Sequence, residues 1–338
     1  MKWLSIENKP FYRYGFNDGK SGITARMPES IAKTVNEGVA GAYWFSAGCR
    51  VRFKTNSPRI GIKVKYGKIL DCIESPRLRF GFVLYASKEN REIPVHMFYP
   101  DKVGEQTEYE ATAEFDRGEE REYTLVFPCF SQVLSCDIGI EDDAEIGEGK
   151  AYANNKPVIF YGSSITNGAG ASNPGNIYEQ MISRAYNMDY VNLGFAGWAK
   201  GEKEMAEYIA NMDMCAFVCD YDHNAPNVEH LKNTYPTFYE VVRKSHADIP
   251  YIIISKPDFR SDCEKTESEN KGRRDYIRSF YEDAKSKGDK NIYFIDGETF
   301  FPDKYNLSCT VDLCHPNDLG FHFMAEKIGA VLAEILGL

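Results

Sequence analysis

The apolar residues of this chain keep two different periods, and the change from one to the other limits what it can fold into. From about residue 38 to residue 140 the period is two. In "RVRFKT", Val51 and Phe53 alternate with Arg50, Arg52 and Lys54; "NSP" then turns the chain, and "RIGIKVKYG" alternates Ile60, Ile62, Val64 and Tyr66 with polar partners. Successive side chains of a strand point to opposite faces, so this pattern predicts half-buried antiparallel strands. Further strand-like runs at "RLRFGFVLYAS", "IPVHMFYP", "REYTLVFP" and "VLSCDIGIED", with Gly, Pro and Asn between them, predict a β-sandwich or jelly roll. Beyond the polar stretch "EDDAEIGEGKAYANNKP" the pattern changes. "VIFYG", "YVNLGF", "AFVCDY", "YIIIS" and "IYFID" are short and continuous, as strands buried on both faces are. Helix-length segments separate them, which predicts a parallel sheet covered on two sides. Residues Asn317 to Leu336 set Phe321, Met324, Ile328, Val331, Leu332 and Ile335 on one helical stripe. The expected architecture is an all-β sandwich (jelly roll) over 1–150, followed over 151–338 by an α/β, three-layer αβα domain with a flavodoxin-like parallel sheet.

A length of 338 residues accommodates two such domains. Forty basic against fifty acidic residues leave a net charge of −10, which repels phosphate backbones and anionic lipid. Neither nucleic acid nor membrane is expected as a partner, and no stretch approaches the ~20 apolar residues of a membrane span. The start, "MKWLSIENKPFYRYGF", lacks the apolar run of a secretory signal. Nine scattered cysteines without C-x-x-C spacing fit reduced thiols, so a cytoplasmic location is expected, with Cys215 and Cys219 as core thiols. Nothing in the sequence bears on oligomeric state.

In an open parallel sheet, ligands bind beyond the carboxyl ends of the strands, so the residues following each apolar run carry the information. After the first come Gly162-Ser163-Ser164-Ile165-Thr166-Asn167; after the second, Gly194-Phe195-Ala196-Gly197; after the third, Asp222-His223-Asn224. After the fifth, a long connection ends in "TVDLCHPNDLG". Acyl transfer by serine needs a base, a group that orients the base, and donors for the oxyanion. Asp312 and His315 stand three apart, close enough for the carboxylate to reach one imidazole nitrogen and leave the other for a serine. With strand order 2-1-3-4-5, the second and third loops flank the first and can aim a backbone N–H and the Asn224 amide at it. The fifth strand lies about 14 Å away at ~4.8 Å per strand. The loop 299–314 is long enough to bring His315 back across that distance.

Together, "YGSSITNG", "VNLGFAG", "DYDHNAP" and "DLCHPN" resemble, in order and spacing, the four sequence blocks of the SGNH (GDSL-type) hydrolase family over residues 155–338. The resemblance implies Ser164 as nucleophile, Asp312 and His315 as the rest of a triad, and an oxyanion hole from the Ser164 N–H, Gly194 and Asn224. A jelly roll ahead of such a domain is similar to carbohydrate esterases of family 2. Two positions depart from the family pattern: Ser163 stands where Asp usually precedes the nucleophile, and "DYDHNAP" replaces Gly-x-Asn-Asp, so that only Asn224 carries over.

Several residues have plainer readings. Ser163 fits a turn residue supporting its neighbour, and Asn224 fits a helix cap. Trp198 fits either a sugar-stacking face or the core, His223 either a substrate contact or a partly exposed loop residue, and Phe300 and Phe301 the core. Asp220, Asp222 and His223 match no established metal spacing. "NGAGASNPG" lacks the lysine of a phosphate loop and reads instead as a substrate-lining loop. The expected activity is a serine ester hydrolase that removes small acyl groups, acetyl foremost, from an acylated small molecule or oligosaccharide, with no metal or cofactor. The alternatives are an acyltransferase of the same fold and a non-catalytic carbohydrate-binding protein.

Overall fold

The alternating runs form two antiparallel sheets. The first strands are β1 (Lys2–Ser5) and β2 (Tyr12–Tyr14), followed by a helical pair, α1 (Glu29–Val35) and α2 (Glu37–Ala42). Then come β3 (Arg50–Thr55), β4 (Arg59–Ile69), the short α3 (Pro76–Phe80), β5 (Phe82–Lys88), β6 (Arg91–Phe98), β7 (Glu108–Glu114), β8 (Arg121–Val126), β9 (Ser131–Ile140) and β10 (Ile146–Glu148). One sheet runs β1-β9-β4-β7 and the other β10-β3-β8-β5-β6, with β2 on β3. The period-two residues set the register: Ile60, Ile62 and Val64 of β4 face Ile140, Ile138 and Cys136 of β9, all buried between the sheets with Val51 and Phe53. This computed structural model describes residues 1–17, 25–89, 91–102, 106–115, 119–257 and 267–338.

The run "RLRFGFVLYAS" departs from its reading as one strand. Its first half is α3, because Ser75 accepts a hydrogen bond from the Arg77 N–H and Pro76 occupies the first helical turn, where its missing N–H costs nothing. The α1–α2 pair likewise interrupts the β pattern near its start.

The continuous runs form β11 (Val158–Gly162), β12 (Tyr190–Gly194), β13 (Ala216–Asp220), β14 (Tyr251–Ile254) and β15 (Ile292–Ile295), a parallel sheet in the order β12-β11-β13-β14-β15. This is the 2-1-3-4-5 order. Between and after the strands lie α4 (Ser164–Asn167), α5 (Tyr178–Tyr186), α6 (Lys203–Ala210), α7 (Val228–Ser245), α8 (Glu267–Ser286) and α9 (Asp318–Leu336). On α9 the stripe is buried at Phe321, Met324, Ile328 and Leu332, with Val331 and Ile335 at its margin.

The two parts meet without a gap. Ala32, Val39, Phe45 and Phe130 join the core of the parallel sheet, and three arginines from the N-terminal part reach across. Arg50 pairs with Asp189 and donates to Tyr152 Oη at 2.7 Å and Tyr190 O at 3.0 Å. Arg52 donates to Asn187 Oδ1 at 2.9 Å. Arg26, fully buried, donates to Asn192 Oδ1 at 3.0 Å and Ala42 O at 3.1 Å. The eight described cysteines are unpaired, Cys219 buried and Cys215 partly so; Cys263 lies outside the described residues. Among the described residues no helix is long and apolar enough to cross a membrane.

Candidate active site

At the carboxyl end of the first parallel strand, the chain turns sharply into α4. Gly162 permits the turn: a Cβ there would lie 2.1 Å from Thr166 Oγ1 and 2.5 Å from Asp220 O. Ser163 is buried and caps the helix, its Oγ accepting from the Ile165 N–H at 3.1 Å. Ser164 is therefore the first helical residue, with Oγ free to leave the turn. It meets His315 Nε2 at 2.9 Å, and His315 Nδ1 meets Asp312 Oδ2 at 2.8 Å.

A closed reversal presents His315. Thr310 and Pro316 form an antiparallel bridge, and the Val311 N–H donates to His315 O at 2.9 Å. Asn317 donates to Ser308 O at 2.7 Å while its Oδ1 caps α9 through the Leu319 and Gly320 N–H groups. The other Asp312 oxygen, Oδ1, accepts from the Cys314 N–H at 3.0 Å and the His315 N–H at 2.7 Å, so the carboxylate is held from both sides. Burial pushes the Asp312 carboxyl up, but the hydrogen bonds from the His315 backbone and ring and from Cys314 outweigh it and leave it below the ordinary value. For His315, a hydrogen bond with Cys314 raises the imidazole, burial opposes, and Asp312 raises it further, to about 9.

Two of the three expected oxyanion donors, Gly194 and Asn224, are engaged within the framework. The Gly194 N–H is taken by Asn192 Oδ1 at 2.9 Å, because Gly194 still belongs to the strand. The Asn224 amide donates to Ala196 O and to Ala199 O, the latter at 3.0 Å, so both its hydrogens are engaged in holding the 196–199 turn. Nor does Asn224 cap α7; Asn227 does, accepting from the His230 N–H at 2.9 Å. Gly197 lies in the short helical turn Ala196–Trp198 that packs on α4, and nothing stands within 4 Å of where its Cβ would be. "VNLGFAG" offers two glycines, and only the end of the strand tells which backbone N–H is spent.

Trp198 is 48% exposed and lies over Gly38 of α2, where any Cβ would meet the indole at 1.9 Å. His223 places Nε2 3.0 Å from Cys314 Sγ, and burial, with Lys256, His315 and Arg273 adding, pushes its imidazole down to about 3. Phe300 and Phe301 are core residues. Asp220 and Asp222 do not converge with His223: Asp222 binds Arg273 at 3.0 Å and the Lys256 N–H at 2.9 Å. Asp220 instead accepts from Thr166 and Tyr178, each at 3.1 Å, and burial lifts its carboxyl to about 7. Beside it, Asn192 joins Arg26 to the buried Glu179, whose carboxyl burial pushes well up. Neither Arg26 nor Glu179 carries a local sequence signal of this role.

A cleft of about 780 Å³ opens beside the imidazole, lined on one side by Asp312, His315 and Val311 and on the other by Gly170, Ala171 and Ser172 of the loop after α4. Its third wall, Ile73 to Ser75, comes from the N-terminal part, where Glu74 accepts from the Gly170 N–H at 2.9 Å. This arrangement has the chemistry to attack an ester carbonyl.

The profile of the GDSL-like lipase/acylhydrolase family matches residues 155–333, just over half of the chain. The chain belongs to this family. In this GDSL-like chain, residues 1–146 also match the N-terminus of SGNH-hydrolase-type esterases, a family described by the motif GxDLY. Here Gly81-Phe82-Val83-Leu84-Tyr85 carries Val83 in place of the acid, and Tyr85 Oη accepts from Arg184 at 2.8 Å across the two parts. No curated protein matches the sequence. Among solved structures, a GDSL-like lipase from Bacteroides ovatus is 28% identical over 99% of this chain and 98% of its own, with a TM-score of 0.88. A salicylyl acyltransferase from a tetracycline biosynthetic pathway is 18% identical over 100% of this chain and 98% of its own, TM-score 0.79. A family 2 carbohydrate esterase from Clostridium thermocellum, solved with cellohexaose, is 15% identical over 86% of this chain and 93% of its own, TM-score 0.64. At these identities the last two share the fold.

Proposed function

We propose that this chain is a serine ester hydrolase that removes small acyl groups, acetyl foremost, from carbohydrate through an acyl-enzyme, with residues 1–150 as accessory domain and 151–338 as catalytic domain. The observation that carries the reading is the unbroken relay from Ser164 Oγ through His315 to Asp312, at 2.9 and 2.8 Å. In this reading His315 Nε2 takes the Ser164 proton as Oγ attacks the ester carbon, while Asp312 holds the Nδ1–H and stabilises the imidazolium. The developing oxyanion is received by the Ser164 N–H, the first free donor of α4, and by the Gly197 N–H, with Asn224 holding the turn that carries Gly197. His315 then protonates the departing alcohol, and water repeats the sequence on the acyl-enzyme. The mixed polar and apolar cleft, walled by both domains, supports a sugar ester as substrate, in keeping with the family 2 carbohydrate esterases that share the fold.

Ser164→Ala tests the assignment: turnover of p-nitrophenyl acetate should fall by at least on the order of 10³-fold with the fold intact by circular dichroism. Near-normal turnover would remove Ser164 from the chemistry. Acetate release from acetylated xylan or mannan tests the substrate class. Acyl transfer to an added alcohol in preference to water would favour the acyltransferase reading instead.

A further inference from the structure

Beside the proposed relay stands a thiol that the mechanism leaves unused. Cys314 Sγ lies 3.0 Å from His223 Nε2 and within 4.8 Å of a ring nitrogen of His315, and the centroids of the two imidazoles are 6.4 Å apart. The donor atoms of Asp312, Cys314 and His315 all fall within 4.8 Å of one another. The remaining nitrogen of His223, Nδ1, is buried without a hydrogen-bond partner. A proton on Nδ1 therefore leaves the Nε2 lone pair directed at the thiol.

A thiolate, two imidazoles and a carboxylate form a ligand set suited to tetrahedral zinc. Bonds of about 2.3 Å to sulfur and about 2.0 Å to nitrogen put neighbouring donors roughly 3.5 Å apart. Asp312 and His315 stand 2.8 Å apart and His223 and Cys314 3.0 Å apart, both somewhat closer than that value, and no two donors of Asp312, Cys314 and His315 are more than 4.8 Å apart. The ligands come from the loops after β13 and β15, and Asp312, Cys314 and His315 all keep solvent contact, so small side-chain rotations can close the set.

We propose that Cys314, His223, His315 and Asp312 form an inhibitory site for a borderline-soft divalent cation, zinc foremost. On binding, the Cys314 S–H bond is replaced by a sulfur–metal bond and the proton passes to solvent; nothing is oxidised or reduced. The ion engages the imidazole and carboxylate that Ser164 needs, so occupancy and turnover exclude each other. The inhibition rests on the hydrolase reading given above, whereas the binding does not.

The test uses Co²⁺ as a spectroscopic substitute on the full chain, following the thiolate-to-cobalt absorption in the near ultraviolet and p-nitrophenyl acetate turnover in the same titration. The absorption and the loss of turnover should share one midpoint, and a chelator should reverse both. Cys314→Ser should abolish the thiolate band and raise the inhibitory Zn²⁺ concentration, relative to the variant's own uninhibited rate, by at least about tenfold, since losing a ligand costs no less than losing an outer-shell partner. His223→Gln should weaken binding in the same direction. An unchanged thiolate band or unchanged zinc sensitivity in Cys314→Ser would overturn the proposal. A wild-type chain without esterase activity that still shows the Cys314-dependent band would support the metal site and sink only the hydrolase reading.

Discussion

At the scale of the residue, the site depends on which lone pairs and protons are already committed. In the proposed hydrolase His315 must be neutral to accept the Ser164 proton, and its imidazole is held up to about 9 by Cys314 and Asp312 against burial. The fraction of competent base therefore grows as pH rises. The acid limb of kcat/KM for p-nitrophenyl acetate should have its midpoint above the ~6.5 of a free imidazole, toward 9; a midpoint at or below 6.5 would contradict this environment. Asp312→Asn keeps the shape but removes the charge that stabilises the imidazolium, and should lower kcat by on the order of 10²–10⁴-fold. Two residues around the site adopt left-handed backbone, Ala196 at φ 49° and Leu313 at φ 68°. Both lie in the turns that aim donors or the base, where strain is tolerated because the surrounding hydrogen bonds over-determine the loop.

At the scale of the element, precision comes from caps and reversals. Asn317 works in two directions, capping α9 with its oxygen and tying the His315 loop through its amide. Asn317→Ala should cost about 0.5–2 kcal/mol of stability by thermal melting, and should lower kcat as well, because the loop that presents His315 loses its tether. A drop in melting temperature without any loss of kcat would show that the Thr310–Pro316 bridge alone positions the base. Elsewhere, α2 meets the Ala196–Trp198 turn through Gly38. Gly38→Ala should displace the indole and change its fluorescence, costing about 1–3 kcal/mol as overpacking does.

At the scale of the whole molecule, the parallel sheet is backed by buried carboxyls that the proposed chemistry does not use. The Asp220 carboxyl is held up to about 7 by burial, against an ordinary 3.8, and Glu179 shifts in the same direction. The folded chain keeps a proton that the unfolded chain releases between those values, so this contribution to stability is full below about pH 4 and is lost as pH rises toward 7. Asp220→Asn, which still accepts from Thr166 and Tyr178, should raise the melting temperature at pH 8 and leave it nearly unchanged at pH 4. The joint between the two parts rests on buried charge of the opposite kind. Arg50→Ala strands Asp189 and should cost about 3–5 kcal/mol, read by chemical denaturation.

What the sequence by itself determined is whatever repeats along the chain or acts within a few residues. The alternating runs yielded the antiparallel strands, the continuous runs the parallel sheet and the helical stripe the closing helix, because side-chain direction in a strand or helix follows from spacing alone. The turn role of Ser163 and the reach of Asp312 to His315 are equally local. In the "RLRFGFVLYAS" run the apolar content reads as strand from its first residue, whereas the Ser75 cap and Pro76 start a helix there. Tertiary structure decided the rest: that Asn224 spends its donors on the Ala196–Ala199 turn while Gly197 lies open, that Arg26 and the α1–α2 pair join the core of the parallel sheet, and that Cys314 comes to rest beside His223. These are contacts between segments up to 166 residues apart, and a hydrogen-bond donor belongs to whichever acceptor the packed fold brings to it first.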